Sequence, residues 1–497
     1  MNKQEYIESL QQRMQSILED YLYNNYKNQI IARKHSADFS PTYKEPYLWN
    51  RALFLSSSGC KLLNESGYTR TAIRALKESA EIFENFSLVS EVYDREYCVV
   101  LSALCYDLSG YQANAFCLVK TSQQYAFTTT ETEIELSADN YVLSQIRQIL
   151  LKAIPSARAS LSYQTSDIGA SLFNDALDRW YGAILNGFDS NFLEAIDKSY
   201  QYFSNNYNIH IAHLVYLLKA RMNVYEGRSI WNNLRISDFI RQSPTWTKYI
   251  KLLSYDAYDR NLIKPIEKRI SKFEFWTSQL RAVEKGLLTD DSNFIIQMPT
   301  SAGKTFIAEL AIIDALAKHP GKKCLYVAPF RALTNEKEEE LATIISKLGY
   351  SVSALSGSYE LDEFQEIVLE DTDVLIATPE KMDFLFRQNP EYFNRISLIV
   401  VDEGHIVGDI SQRASLLEFL LIRLKIKVQD LKTLFISAVM PPDNANEYSM
   451  WLNGTSDKVI RSLLHDNSTI AEEWEPTRNL IGSFEWSGYN GVITFKN

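Results

Sequence analysis

The chain has 497 residues, 46% of them hydrophobic and 23% charged, with a net charge of −11. That length exceeds one compact core, and the composition excludes a disordered or fibrous protein. The acidic balance argues against a nucleic-acid binder that works through a broad basic surface. The longest apolar stretch, residues 416–426, is interrupted by Glu418, Arg423 and Lys425, so no segment reads as a membrane span.

The N-terminus alternates charged and apolar residues and lacks a signal-peptide core, so a cytoplasmic location is expected. Residues 1 to about 250 are poor in glycine and proline, and their apolar residues recur every three or four positions. This spacing predicts helices, for example over 72–83, 91–108 and 192–203. Breaks are expected at Ser109-Gly110, near 187–190 and at 204–206, and a loop at 121–133. No fixed period emerges that would define a solenoid. The many tyrosines read as packing residues with a polar tip. Five cysteines form no Cys-x-x-Cys pair and are expected to be small buried residues. His210 and His213 share a helix face without a visible third ligand.

The pattern changes near Asn261. Short β-branched runs then alternate with amphipathic segments: a strand over 293–297, a helix to Ala317, a strand over 323–327 and a helix to Leu348. Further strands are expected at 374–377, 398–401 and 433–436. Such alternation, with nearly continuous apolar strands, implies a parallel sheet covered on both faces, with ligands at the carboxyl ends of its strands.

Two motifs fall at those ends. The first is Met298-Pro-Thr-Ser-Ala-Gly-Lys304-Thr305, a phosphate-binding loop with methionine in place of the first glycine. Thr300, Ser301, Ala302 and Gly303 supply its backbone. Gly303 admits close approach of phosphates, Lys304 neutralises their charge, and the Thr305 hydroxyl is suited to magnesium. The second is Asp402-Glu-Gly-His405, which ends an apolar run. Asp402 is expected to hold magnesium and Glu403 to orient or deprotonate the attacking water. ATP and Mg²⁺ are the implied ligands.

Asp-Glu-x-His in this setting resembles the DExH branch of superfamily two helicases, over about 190 residues. Phe275-Trp-Thr-Ser-Gln279 resembles the adenine-reading Q motif, which assigns Gln279 to the base. Val327-Ala-Pro329-Phe-Arg331-Ala-Leu, Leu355-Ser-Gly357 and Ala377-Thr378-Pro379-Glu-Lys381 are similar to motifs Ia, Ic and Ib. The resemblance implies that Pro329, Arg331, Gly357, Thr378 and Pro379 line a groove for one nucleic-acid strand. It also gives His405 a place in the catalytic set. The run from Ile406 through Asp409 and Arg413 to Glu418, with Ser437-Ala-Val439-Met-Pro-Pro-Asp443, resembles the superkiller-like subgroup and assigns Ser437 to coupling. Val439 departs from the usual threonine, which puts efficient unwinding in doubt.

The helical half, with Tyr106-Asp-Leu-Ser-Gly-Tyr-Gln-Ala-Asn-Ala115, resembles Hachiman-type helicase subunits of bacterial anti-phage systems. The expected architecture is therefore a RecA-like α/β domain at 256–460, preceded by an all-α partner or regulatory domain at 1–255. Residues 461–497 are expected to form a connector toward a second RecA-like domain. Hydrolysis by the chain alone is expected to be weak. The resemblance implies an ATP-dependent translocase on single-stranded nucleic acid, DNA favoured over RNA, working with a protein partner such as a nuclease. A nucleotide-switched interaction scaffold and a restriction-type DNA translocase subunit are the alternatives.

Overall fold

The computed structural model describes residues 3–19, 45–67, 69–88, 92–122, 138–151, 167–186, 191–234, 237–255, 274–298, 302–355, 369–409, 411–440, 442–461, 482–488 and 490–495. Two compact units result. One comprises 1–229 with 253–274 and 463–497; the other comprises 230–252 with 275–462.

The first unit is built from α1 (Lys3–Leu18), α2 (Glu45–Ser66), α3 (Arg70–Ser87), α4 (Val92–Leu108), α5 (Gln112–Thr121), α6 (Ala138–Leu150), α7 (Ile168–Asn186), α8 (Phe192–Asn205) and α9 (Ile209–Arg228). The expected helices over 72–83, 91–108 and 192–203 are α3, α4 and α8. In α3, Ile73, Leu76, Ala80 and Phe83 repeat at helical spacing and are buried. Its start is fixed by Thr69, whose Oγ1 accepts from Ala72 N at 3.3 Å, satisfying one of the free amides of the first turn. Consecutive helices pack in pairs, α2 on α3, α3 on α4, α7 on α8 and α8 on α9.

The core of this unit also holds charge. Arg147 donates from Nε and Nη2 to the two carboxylate oxygens of Glu96 at 2.7 and 2.6 Å, and from Nη1 to Val119 O at 2.6 Å. Arg51 donates to Glu78 at 2.6 Å, and Asp107 accepts from Arg228 at 3.1 Å. Every one of these side chains is nearly solvent-free, a setting in which an ion is tolerated only when paired.

Four cysteines are buried, but Cys117 is exposed, contrary to expectation. It lies on the ten-residue α5, which buries Ala113, Ala115 and Val119 instead. His210 and His213 both lie on α9. The His210 ring packs edge-on against Tyr97, and His213 Nε2 lies 3.1 Å from Ser56 Oγ. Burial, followed by the charge of His210, depresses His213 from 6.5 to about 4.

The second unit centres on a seven-stranded parallel sheet: β1 (Phe294–Gln297), β2 (Lys323–Val327), β3 (Val352–Ala354), β4 (Val374–Ala377), β5 (Ile396–Asp402), β6 (Lys432–Ser437) and β7 (Val459–Arg461). The order across the sheet is β3-β4-β2-β5-β6-β1-β7. Three-residue β3 and β7, absent from the sequence expectation, form its edges. Helices α10 (Ile230–Leu234), α11 (Asp238–Gln242), α12 (Pro244–Tyr255), α13 (Thr277–Glu284), α14 (Lys304–Lys318), α15 (Arg331–Leu348), α16 (Pro379–Gln388), α17 (Gln412–Lys427) and α18 (Pro442–Asn453) accompany it. Leu325, Leu375, Ile399 and Phe435 from the sheet share one apolar cluster with Leu385 of α16 and Leu417, Leu421 and Leu424 of α17. Helix α14 packs against β2 and β5, and α15 against β3 and β4.

Helix α12 is anchored in this unit by fully buried Trp246. Tyr249 OH donates to Glu309 of α14 at 2.7 Å, and Lys248 Nζ to Leu348 O at 3.0 Å. A separate antiparallel hairpin joins β8 (Gly482–Ser487) to β9 (Asn490–Phe495). No described helix is long and apolar enough to cross a membrane.

Because the unfolded chain binds a proton at His213 near pH 6.5 and the folded chain only near pH 4, the neutral form is the one folding favours. This contribution is complete above about pH 6.5 and is lost as pH falls toward 4, to a limit of about 3 kcal/mol. His213→Gln is expected to remove that part of the acid sensitivity, measured as urea unfolding free energy at pH 7 and pH 4.5.

Candidate functional site

Parallel register brings the motifs to one edge of the sheet. Gln297 at the end of β1 pairs with Ser437 at the end of β6, and Ile436 pairs with Asp402 at the end of β5. Met298 follows β1, is buried, and donates from its amide to Ser437 O at 3.0 Å. Thr300 and Ser301 lie outside the described residues. Ala302 is buried, and Gly303 adopts φ +80° ahead of the first turn of α14.

Helix α13 braces this loop. Ser278 Oγ donates to Ala302 O at 2.8 Å, and Gln279 Nε2 reaches Gly303 O at 3.5 Å. The Gln279 Oε1 accepts from Trp276 N at 2.9 Å, so the same side chain closes the start of α13. A Cβ on residue 303 would stand 2.1 Å from Gln279 Nε2. Glycine is favoured here by the left-handed backbone angle, and a side chain would also push the Gln279 amide out of its place.

Lys304 Nζ donates to Met298 O at 3.3 Å. Burial holds its pKa below the ordinary lysine value, while the charges of Glu403 and Asp402 act to raise it and that of Lys337 to lower it. The two lysines and both acids therefore share one electrostatic environment. Thr305 Oγ1 accepts from Lys337 Nζ at 2.8 Å. Asp402 accepts on Oδ1 from Glu403 N at 3.0 Å and on Oδ2 from the Tyr326 hydroxyl at 2.8 Å. Burial, then the charge of Asp402, pushes the Tyr326 hydroxyl well above its usual pKa, so it stays protonated and donating.

Glu403 carries φ +51° in the left-handed region, an uncommon conformation for a residue with a side chain. It opens the short 3₁₀ turn Gly404–Gly408. Its Oε2 is buried, lies 3.4 Å from His405 Nδ1 and accepts no hydrogen bond among the described residues. His405 Nδ1 lies 2.9 Å from Ser437 Oγ, which also accepts from Val439 N at 3.2 Å. Gly404 explains how the turn fits: a Cβ there would meet Phe435 Cδ1 at 2.5 Å.

A second group of residues gathers at the starts of α15, α16 and α17. Pro329 is buried and Arg331, the first residue of α15, is exposed. Thr378 and Pro379, at the start of α16, are buried. Gly357 lies outside the described residues. Burial, then the charge of Arg331, lowers the pKa of Lys381, so the two cations lie close enough to act on one another. Arg413, the second residue of α17, ties the three starts together. It donates to Glu380 Oε1 at 2.5 Å and to Pro329 O at 3.1 Å, and lies 5.6 Å from the centre of the exposed Phe330 ring.

Sequence reasoning named the loop, the acidic pair, His405 and Ser437 but not Tyr326 or Lys337. Tyr326 was hidden as one more apolar position of β2, and Lys337 as one charge among many on α15. A glycine-walled loop, a lysine, a hydroxyl and two acids, one with an unsatisfied buried oxygen, suit a polyphosphate carrying a divalent cation.

Residues 276–448 match the protein-family model for the DEAD/DEAH box helicase. This part of the chain is thus similar to that family, and it has a RecA-like α/β fold preceded by a large helical region. Hachiman protein HamB of Bacillus cereus is 28% identical over 429 residues, covering 84% of this chain and 36% of that protein. ATP-dependent DNA helicase Hel308 of Methanocaldococcus jannaschii is 32% identical over 239 residues, covering 47% of this chain and 18% of that protein. The chain thus spans well under two thirds of either relative. The crystal structure of DUF1998 helicase MrfA aligns with a TM-score of 0.33 at 20% identity, covering 43% of this chain and 32% of that one.

Gly404→Ala forces Phe435 aside in a filled core, a change expected to cost about 1–3 kcal/mol. Thermal unfolding of the variant against the parent measures it; an unchanged midpoint would show that the turn accommodates the methyl group.

Proposed function

We propose that the chain is the nucleotide-binding part of an ATP-dependent translocase that moves on single-stranded nucleic acid, with DNA as the favoured strand. The observation that carries this reading is the convergence of Lys304, Thr305, Asp402 and Glu403 on one sheet edge, beside a glycine in the left-handed backbone region. In this reading the loop amides from Thr300 to Gly303 and the Lys304 ammonium cradle the phosphates. Gln279, already braced against the loop, faces the base. Thr305 and Asp402 hold magnesium, which when bound neutralises phosphate charge and orients the reacting group.

Glu403 is the group assigned to the attacking water. Its left-handed backbone and unsatisfied Oε2 support that role, since a buried carboxylate oxygen without a donor is costly unless a ligand completes it. The His405–Ser437 contact of 2.9 Å gives a direct route from this acid's turn to β6, and supports Ser437 as the coupling residue. Pro329, Arg331, Gly357, Thr378 and Pro379 are assigned to the strand, with Arg331 on a phosphate. The resemblance to Hachiman-type subunits runs through the helical half, which supports a motor in a bacterial defence complex whose helical region recruits an effector partner.

Nucleotide binding and hydrolysis, each measured with and without single-stranded DNA, single-stranded RNA and duplex, test the reading. Lys304→Ala should weaken nucleotide binding about 10- to 100-fold. Glu403→Gln should retain binding while lowering any turnover by about 10²- to 10⁴-fold. A Lys304→Ala variant that binds nucleotide like the parent would overturn the assignment.

A further inference from the structure

Lys337 is not among the residues assigned above to the phosphates, the metal or the strand. Its Nζ donates to Thr305 Oγ1 at 2.8 Å and to Glu340 Oε2 at 2.7 Å, and its side chain is only 12% exposed. It lies close enough to Lys304 for its charge to act on that lysine. Lys304 and Lys337 share this edge with Asp402 and Glu403, whose charges act on Lys304 more strongly than that of Lys337, and Glu340 is the second partner of Lys337. Lys337 is thus held among the groups of the candidate site rather than on the open surface of its helix. Yet it occupies the hydroxyl assigned to the metal. A threonine oxygen that accepts from an ammonium and ligates a dication at about 2.0–2.1 Å would hold two like charges within a few ångströms.

We propose that Lys337 and the divalent cation compete for Thr305 Oγ1. With the cation present, the ammonium is displaced onto Glu340, its second partner in this structure. Without the cation, Lys337 itself supplies countercharge to the nucleotide phosphates. The chain therefore binds nucleotide with only a weak dependence on magnesium, and Lys337 sets that dependence. Because α15 begins at Arg331 and carries Lys337 two turns later, the exchange is registered on the helix that also bears the candidate strand contact. The inference rests on the assignment of Thr305 to the metal made above.

The test is equilibrium binding of a fluorescent, non-hydrolysable ATP analogue to the full chain, in magnesium and in EDTA. The parent should differ by no more than about threefold between the two conditions. Lys337→Met should weaken binding in EDTA about 10- to 100-fold, the worth of a charge-assisted hydrogen bond, while binding in magnesium stays level or tightens. Lys337→Arg should restore the EDTA affinity, and thermal unfolding of both variants checks that they are folded. Equal weakening of Lys337→Met in both conditions, or no change in either, overturns the competition. Lys304→Ala run alongside separates the two readings. If it binds like the parent, the nucleotide site itself is misassigned; if it loses binding while Lys337→Met shows no split, only the competition fails.

Discussion

Parallel register is the constraint on which the site depends. Strands β1, β6 and β5 are adjacent, and their pairing sets Gln297 level with Ser437 and Ile436 level with Asp402. Once that alignment is fixed by buried apolar side chains, the chain segments leaving the three strands must emerge together. The segment leading into Lys304, the acidic pair and the Ser437 segment are neighbours for that reason, although more than a hundred residues separate their extremes. The apolar strands bring these charged groups together against the cost of desolvating them, which the attraction between Lys304 and the two acids partly offsets.

The acidic end of β5 shows how tightly this edge is built. Tyr326, on the neighbouring strand, donates to Asp402, and the Glu403 amide donates to its other oxygen. The chain then turns through a left-handed residue and a glycine pressed against Phe435. That sequence of constraints leaves Glu403 little freedom and hands the next polar side chain, His405, to Ser437. Backbone strain, aromatic packing and a hydrogen bond are thus parts of one device. Valine at 439 leaves the His405–Ser437 contact intact, because the Ser437 hydroxyl makes it and the Val439 amide donates to that same hydroxyl, while Val439 is 71% exposed.

Much of the α/β unit was legible because its strands are nearly continuous apolar runs. Phe294-Ile-Ile, Leu398-Ile-Val-Val401 and Leu434-Phe-Ile436 announce burial on both faces. The three-residue strands β3 and β7 were not, since Val352-Ser-Ala354 and Val459-Ile-Arg461 are too short for any period and exist through their pairing partners. Helix α12 reads as one more amphipathic helix of the N-terminal half, yet its contacts belong to α14 and α15. Periodicity reveals that a helix has an apolar face but not what covers it. The same limit hid Lys337, which sits in the run Glu336-Lys-Glu-Glu-Glu340 and is distinguished from its neighbours only by the tertiary position of Thr305.

The buried Arg147–Glu96 pair carries a consequence of another kind. Loss of either partner leaves the other charge uncompensated in the core, at about 3–5 kcal/mol, whereas exchange of both for apolar residues is often neutral or better. A lineage drifting by single substitutions therefore meets a barrier at positions 96 and 147 that has no counterpart at the end point. Among descendants of this chain the two positions should change together or not at all, while Val119 contributes to the pairing only through its backbone carbonyl and is constrained separately by the burial of its side chain.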